Sequence, residues 1–298
     1  MNSKRMKTDI DTLVLSGGGI RGVAYCGAFR KLRELHEKGR INLDITQLVC
    51  VSVGCLFGLV FALGYQPEDI EEELVNKNFS DLKDIRFGNF IKKFGADSGR
   101  NIITWLETLI LKRGMKREIN FMELYERTGI KFQVLATNLK TFDWTIFDHI
   151  KTPTIPVTQA IRYSISIPFV FTAEKFDDQI LVDGGVINNY PIHLFQDNLD
   201  RVLGLKLIAR DEPLGRENSI DIVEFDSYVM SVWSCMMVQR ERQTGLLEQF
   251  QPHTVKIHID EKVQTMDFAM TTEMKQKLIN IGYRAVEDYF DGCVDKSE

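Results

Sequence analysis

Leu48 to Leu63 constrains this chain most: sixteen residues, apolar except for Ser52, Gly54 and Gly58. As one helix the run would reach about 24 Å, short of the ~20 residues that a bilayer crossing needs. A globular chain has to bury it, and Ser52 marks the place to break it. Leu48 to Val51 then reads as a buried strand, Val53 to Leu63 as a buried helix and Gly64 as its stop. The same grammar appears upstream. Asp11 to Leu15 is a short apolar strand ending in Ser16-Gly17-Gly18-Gly19, and Val23 to Leu35 is a helix with Gly39 just beyond its end.

Residues 67 to 130 read as helical. Within them Asn101 to Lys112 sets Ile102, Trp105, Leu106, Leu109 and Ile110 at helical spacing on one face. Ile130 to Leu139 and Trp144 to Phe147 read as strands joined around Lys140-Thr141, and Val157 to Ser166 as a helix stopped by Pro168. Ile180 to Val182, Arg201 to Leu207 and Thr254 to Ile259 supply further strands. Two helical stretches, 219–250 and 272–290, close the chain, the second with Leu278, Gly282, Ala285, Val286 and Tyr289 as a packing stripe. Strands alternating with helices predict a parallel sheet covered on both faces. A chain of 298 residues buries about three quarters of its unfolded surface, so it needs neither disulfide nor metal to fold.

Three short segments carry chemistry. Gly17-Gly18-Gly19-Ile20-Arg21-Gly22 follows the first strand and opens a helix. Its glycines let the backbone turn tightly and gather N–H groups at one point, which suits a phosphate or the oxyanion of an acyl transfer. Gly17, Gly19 and Gly22 also fit the dinucleotide spacing G-x-G-x-x-G. That reading needs an acidic residue ending the second strand, where Ser52 stands. Ser52 lies in Cys50-Val51-Ser52-Val53-Gly54, at the strand-to-helix junction. A sharp turn there lifts a serine Oγ out of the sheet as a nucleophile when its neighbours are small. The plainer reading is a turn residue or N-cap. Cys50 occupies the first glycine position of G-x-S-x-G. Asp183-Gly184-Gly185 ends the strand Ile180 to Val182; the aspartate is either an Asx-turn residue or an acid that its glycines let approach another loop.

These three segments, in this order, resemble the patatin-like phospholipase family. The likeness extends to Phe94 to Gly99, Asn120 to Tyr125, Val134 to Leu139, Ala160 to Pro168 and the tail Asp183 to Pro191, covering roughly residues 10 to 208. The resemblance implies a three-layer α/β/α fold with a mostly parallel central sheet, and acyl hydrolysis by a Ser–Asp dyad. Ser52 would be the nucleophile and Asp183 its partner. The N–H groups around Gly18, Gly19 and Ile20 would form the oxyanion hole, with Arg21 adding positive potential. No metal or cofactor is implied. The expected organisation is a catalytic core over 7–208 and a mainly helical portion, 209–298, packed on the same domain.

Charge narrows the partners. Lys plus Arg is 37 against 42 for Asp plus Glu, a net charge of −5, which argues against nucleic acid. The five cysteines form no C-x-x-C pair or Cys/His cluster, so buried free thiols of a reducing compartment are expected, not zinc ligands or a disulfide framework. Met1 to Lys7 is basic, but no apolar stretch follows it as in a secretory signal. The expectation is a cytoplasmic protein that meets a phospholipid or other acyl lipid peripherally at a membrane or lipid surface. Trp105, Leu106, Leu109 and Ile110 beside Lys112, Arg113, Lys116 and Arg117, or else Met230, Trp233, Met236 and Met237, could face that lipid; core packing would produce the same patterns. His193 is the one histidine placed to make a triad, and Cys50 and Cys55 are remote alternative nucleophiles. Two other readings compete: a lipid-binding protein whose elbow Cys50 weakens, and a phosphate or dinucleotide binder using the glycine loop alone.

Overall fold

Among the described residues, the two apolar runs become the centre of an eight-stranded sheet. A computed structural model describes residues 9–86, 88–209, 248–259 and 268–292, with positions 232, 235, 236 and 263. Asp9–Leu15 forms β1 and Asn42–Val51 forms β2, paired in parallel with Leu13, Val14 and Leu15 beside Leu48, Val49 and Cys50. The other strands are β3 (Gly95–Asp97), β4 (Lys131–Asn138), β5 (Asp143–Phe147), β6 (Phe169–Phe171), β7 (Glu174–Phe176), β8 (Gln179–Asp183), β9 (Val202–Ala209) and β10 (Thr254–Ile259). The helices are α1 (Ala24–Glu37), α2 (Val53–Ala62), α3 (Pro67–Asn76), α4 (Asn89–Lys93), α5 (Arg100–Lys112), α6 (Phe121–Thr128), α7 (Val157–Ser164) and α8 (Thr272–Asp291).

The sheet runs β10-β9-β1-β2-β4-β8-β7, with β5 also on β4, and helices cover both faces. Strands β10 to β4 are parallel, while β5 and β8 join β4 antiparallel and β7 joins β8 antiparallel. The expected mostly parallel central sheet is therefore observed, its antiparallel pairings confined to the strands beyond β4. Alternate residues feed two cores: Leu13, Leu15, Leu48 and Cys50 belong to the large one, and Val14, Val49, Val51 and Leu135 to the smaller one. Burial on both faces explains why these strands read as continuous apolar runs.

The helical reading of 67–130 misses β3, which pairs with β6 in a separate two-stranded sheet. The stripe Ile102, Trp105, Leu106, Leu109 and Ile110 is buried, so α5 is a core helix and not a lipid-facing one. Its basic neighbours are bound inside the molecule. Lys112 pairs with Glu73, Lys116 with Glu123 and Arg117 with Glu107, while Arg113 donates to the carbonyls of Leu63 and Gly64. Of the expected helix over 219–250 only positions 232, 235, 236 and 248–250 are described, so Met230, Trp233 and Met237 lie outside the described residues; Met236 is exposed. Cys26, Cys50 and Cys55 are buried free thiols, but Cys235 is exposed.

On the large-core side α8 crosses α1 at backbone contact. A Cβ on Gly27 would stand 1.7 Å from Ile279 O, and one on Gly282 1.8 Å from Ala24 O. Around the crossing Lys31 pairs with Glu287, Arg40 with Asp291, and Tyr283 donates to Glu34.

Candidate active site

Two strand ends collide to make the site. β2 pairs with β4 as far as Val51 beside Leu135, and β8, arriving from the opposite direction, pairs Asp183 with Ala136. Because β5 occupies β4 across Val134 to Asn138, β2 and β8 must share the other edge of β4. The residue after β2 is Ser52 and the last residue of β8 is Asp183. Ser52 Oγ donates a 2.6 Å hydrogen bond to Asp183 Oδ2.

Ser52 adopts φ 52° and ψ −128°, left-handed backbone that a side chain disfavours, and α2 begins at the next residue. The turn is tight enough that a Cβ on Gly54 would come within 2.7 Å of Leu15 O and 2.8 Å of Ser16 O. Ser52 stands at the N-cap position of α2, but its side chain makes no capping hydrogen bond there and turns to Asp183. Both readings of Asp183 are realised at once. Oδ1 accepts the Gly185 N–H at 2.8 Å, an Asx-turn, which leaves Oδ2 for Ser52. Gly184 permits this because a Cβ there would meet Leu135 O at 2.3 Å. Burial raises the Asp183 pKa from 3.8 to about 7, against the lowering effect of the Ser52 and Gly185 hydrogen bonds.

The glycine loop lies against this pair; a Cβ on Gly17 would be 3.0 Å from Ser52 Cβ. Gly17 gives its N–H to Asn189 O, while the N–H groups of Gly18, Gly19 and Ile20 find no acceptor among the described residues. Gly22 packs on Val53, and Arg21 Nε donates to Val263 O at 2.9 Å. His193 stacks on Trp144 and bonds Asn188, and neither Ser52 nor Asp183 bonds a histidine among the described residues. Burial raises the thiol pKa values of Cys50 and Cys55 well above the ordinary range, so they are poor nucleophiles. The Cys50 sulfur has its place against Gly58 of α2, where a Cβ would sit 2.6 Å from Sγ. No group of three metal-ligating side chains occurs among the described residues.

Two residues without a sequence-assigned role stand at the site. Ser164 Oγ accepts the Ser52 N–H at 2.9 Å. Asn189 Nδ2 donates to Gly17 O at 3.1 Å, so Asn189 ties the glycine loop to the segment after Asp183 through both its side chain and its backbone. Each is a small polar residue inside a segment already notable for its resemblance, and that was the available signal.

A family model for patatin-like phospholipases matches residues 13–195. Among individual proteins, an uncharacterised protein, R571, of Acanthamoeba polyphaga mimivirus is 27% identical over 95% of each chain. The "Probable lipid hydrolase 463L" of Invertebrate iridescent virus 6 is 33% identical over 61% of this chain and 62% of its own. Among solved structures, VipD from Legionella pneumophila superposes with a TM-score of 0.57 at 18% identity, over 95% of this chain and 67% of VipD. ExoU of Pseudomonas aeruginosa, in its complex with SpcU, gives 0.53 at 18% identity, over 98% of this chain and 53% of its own.

Proposed function

The chain belongs to the patatin-like phospholipase family, and from that premise we propose that it cleaves carboxylic esters of phospholipids through a Ser52–Asp183 dyad and an acyl-enzyme. The observation that carries this reading is the 2.6 Å hydrogen bond from Ser52 Oγ to Asp183 Oδ2 beside the Gly18, Gly19 and Ile20 amides, which have no acceptor among the described residues. Ser52 Oγ attacks the ester carbonyl carbon as its proton passes to Asp183 Oδ2. The carbonyl oxygen becomes an oxyanion, for which the N–H groups of Gly18, Gly19 and Ile20 are the donors at hand. When the intermediate collapses, the bond to the alcohol oxygen breaks and Asp183 returns the proton to the departing alkoxide. Water, deprotonated by Asp183, then cleaves the acyl-enzyme, releasing the fatty acid and restoring Ser52.

Asp183 can take the serine proton only when ionised, so its pKa of about 7 places the acid limb of activity near neutrality. The competing reading, a lipid binder with a distorted elbow, gains nothing from Cys50, whose sulfur has a place opposite Gly58. A fluorophosphonate probe, with activity on a phospholipid panel, tests the proposal. Labelling and turnover should both vanish in Ser52→Ala while its thermal midpoint stays within a degree or two. Residual activity above a tenth of wild type would remove Ser52 as the nucleophile.

A further inference from the structure

The strained backbone at Ser52 needs something to hold it. Its N–H points away from the α2 ladder, and its partner is the Ser164 hydroxyl at the C-terminal end of α7. The single Ser164 proton is committed to Leu135 O of β4 at 2.6 Å. The lone pairs of Oγ are thereby turned to the Ser52 N–H at 2.9 Å and to the Cys55 thiol at 3.4 Å. Ser164 is 0% exposed, so solvent cannot take over any of these bonds. The chain just beyond α7 also holds the other member of the pair, because Ser166 O accepts the Asp183 N–H at 2.9 Å. Ser166 Oγ is in turn fixed by the buried Arg162, which donates to it at 2.6 Å, and the same guanidinium also donates to the carbonyls of Ser98 and Thr172.

We infer that Ser164 is a positioning residue of the hydrolytic site: its hydroxyl holds the Ser52 amide so that Oγ stays on Asp183, while the Ser166 carbonyl holds Asp183 from the same turn. This rests on the hydrolase reading above. Without the hydroxyl, the Ser52 N–H would be buried without a partner, Leu135 O would keep only the weak Cys55 thiol donor, and the elbow would relax toward ordinary backbone. Ser52 Oγ would then move off Asp183. The groups facing that carboxyl are the Ser52 hydroxyl, the Gly185 N–H and, from α2, the Cys55 thiol; among the described residues no Lys, Arg or His bonds it. Weakening the serine bond removes an interaction that favours the carboxylate, and this gives the inference a signature that packing alone does not produce.

The experiment compares wild type, Ser164→Ala, Ser164→Cys and Ser52→Ala on a soluble short-chain p-nitrophenyl ester across pH 5 to 9. Ser164→Ala should lower kcat about 10- to 100-fold, as misplacement of a reacting atom does, with KM changed less than threefold. The acid limb of kcat/KM should move to higher pH. Ser164→Cys, which leaves no cavity but puts a larger, poorly accepting sulfur in place of the hydroxyl, should lose turnover as the alanine variant does. Wild-type kcat in either variant, or a fall that only tracks the loss of folded protein with the acid limb unmoved, would overturn the inference. Absence of turnover in wild type would instead overturn the hydrolase reading, and turnover that survives Ser52→Ala would remove Ser52 as its nucleophile. A crystal structure of Ser164→Ala then decides the positioning claim alone. A Ser52 φ outside the positive region, or Oγ more than 3.5 Å from Asp183 Oδ2, supports it, and an unchanged elbow overturns it.

Discussion

Asp183 is subject to two opposed demands. As a base it must be ionised, yet its burial favours the neutral acid and raises its pKa to about 7. The folded state therefore holds a proton that the unfolded chain, with an ordinary carboxyl, releases near pH 4. The stability linked to this group is fully present below about pH 4 and is lost as pH rises through about 7. Asp183→Asn removes that dependence while leaving an amide that cannot accept the serine proton. At pH 8 the variant should be more stable than wild type, by on the order of 1–4 kcal/mol, and at least 100-fold less active. Thermal melts of both proteins at pH 5 and pH 8 check this; a difference in midpoint that does not widen with pH would contradict it. Cys50 makes a separate case, because its sulfur and the bare Cα of Gly58 fit one another. Gly58→Ala should destabilise the protein, Cys50→Gly alone should alter turnover less than about threefold, and the double variant should recover part of the loss. A double-mutant cycle in urea should show a coupling of about 1 kcal/mol or more.

Between elements, what the sequence made legible was the work of apolar runs, and what it hid was direction. Leu13–Leu15 and Leu48–Val51 announce themselves because both faces of their strands are buried. Asn42–Gln47 belongs to β2 as well, but alternates exposed and half-buried and carries no such signal. β3, β6 and β7 are three residues long, shorter than any periodicity can register. Ile180 to Val182 reads as a strand, yet nothing in those residues says that it runs against β4 and not with it. That reversal brings Asp183 to Ser52, so motif order made the pair legible while its geometry came from topology. The α1–α8 crossing was half visible, since Gly282 stood in the packing stripe but its counterpart Gly27 had no pattern around it. Gly282→Ala would drive a methyl into the Ala24 carbonyl, and should cost about 1–3 kcal/mol, the usual range for overpacking. Urea denaturation measures the loss. Activity per folded molecule should be unchanged, because neither helix contributes a group to the dyad.

For the whole molecule, the question is whether the residues around the dyad can fold without those that follow. The family match ends at residue 195, and the sequence-based expectation is a core ending at 208 with the rest packed on the same domain. Three contacts argue that the division is not a structural one. β10 pairs with β9 from Thr254 beside Gly204 to Ile259 beside Ala209, so its removal turns β9 into a bare edge. α8 covers the α1 face that carries Gly27 and Lys31, and leaves it uncovered if lost. Arg21, inside the glycine loop, donates to Val263 O, so the loop beside Ser52 is itself fastened to the C-terminal part. A fragment ending at residue 209 should therefore lack a cooperative thermal transition and react with no fluorophosphonate probe, although it keeps Ser52 and Asp183. Circular dichroism melts and probe labelling of the fragment beside the full chain give the comparison. A cooperative melt with Ser52 labelled at the full-chain rate would mean that residues 9–209 form a self-sufficient catalytic unit. The exposed α1 face and β9 edge make the opposite result the expected one, since a sheet this size loses a strand and a covering helix together.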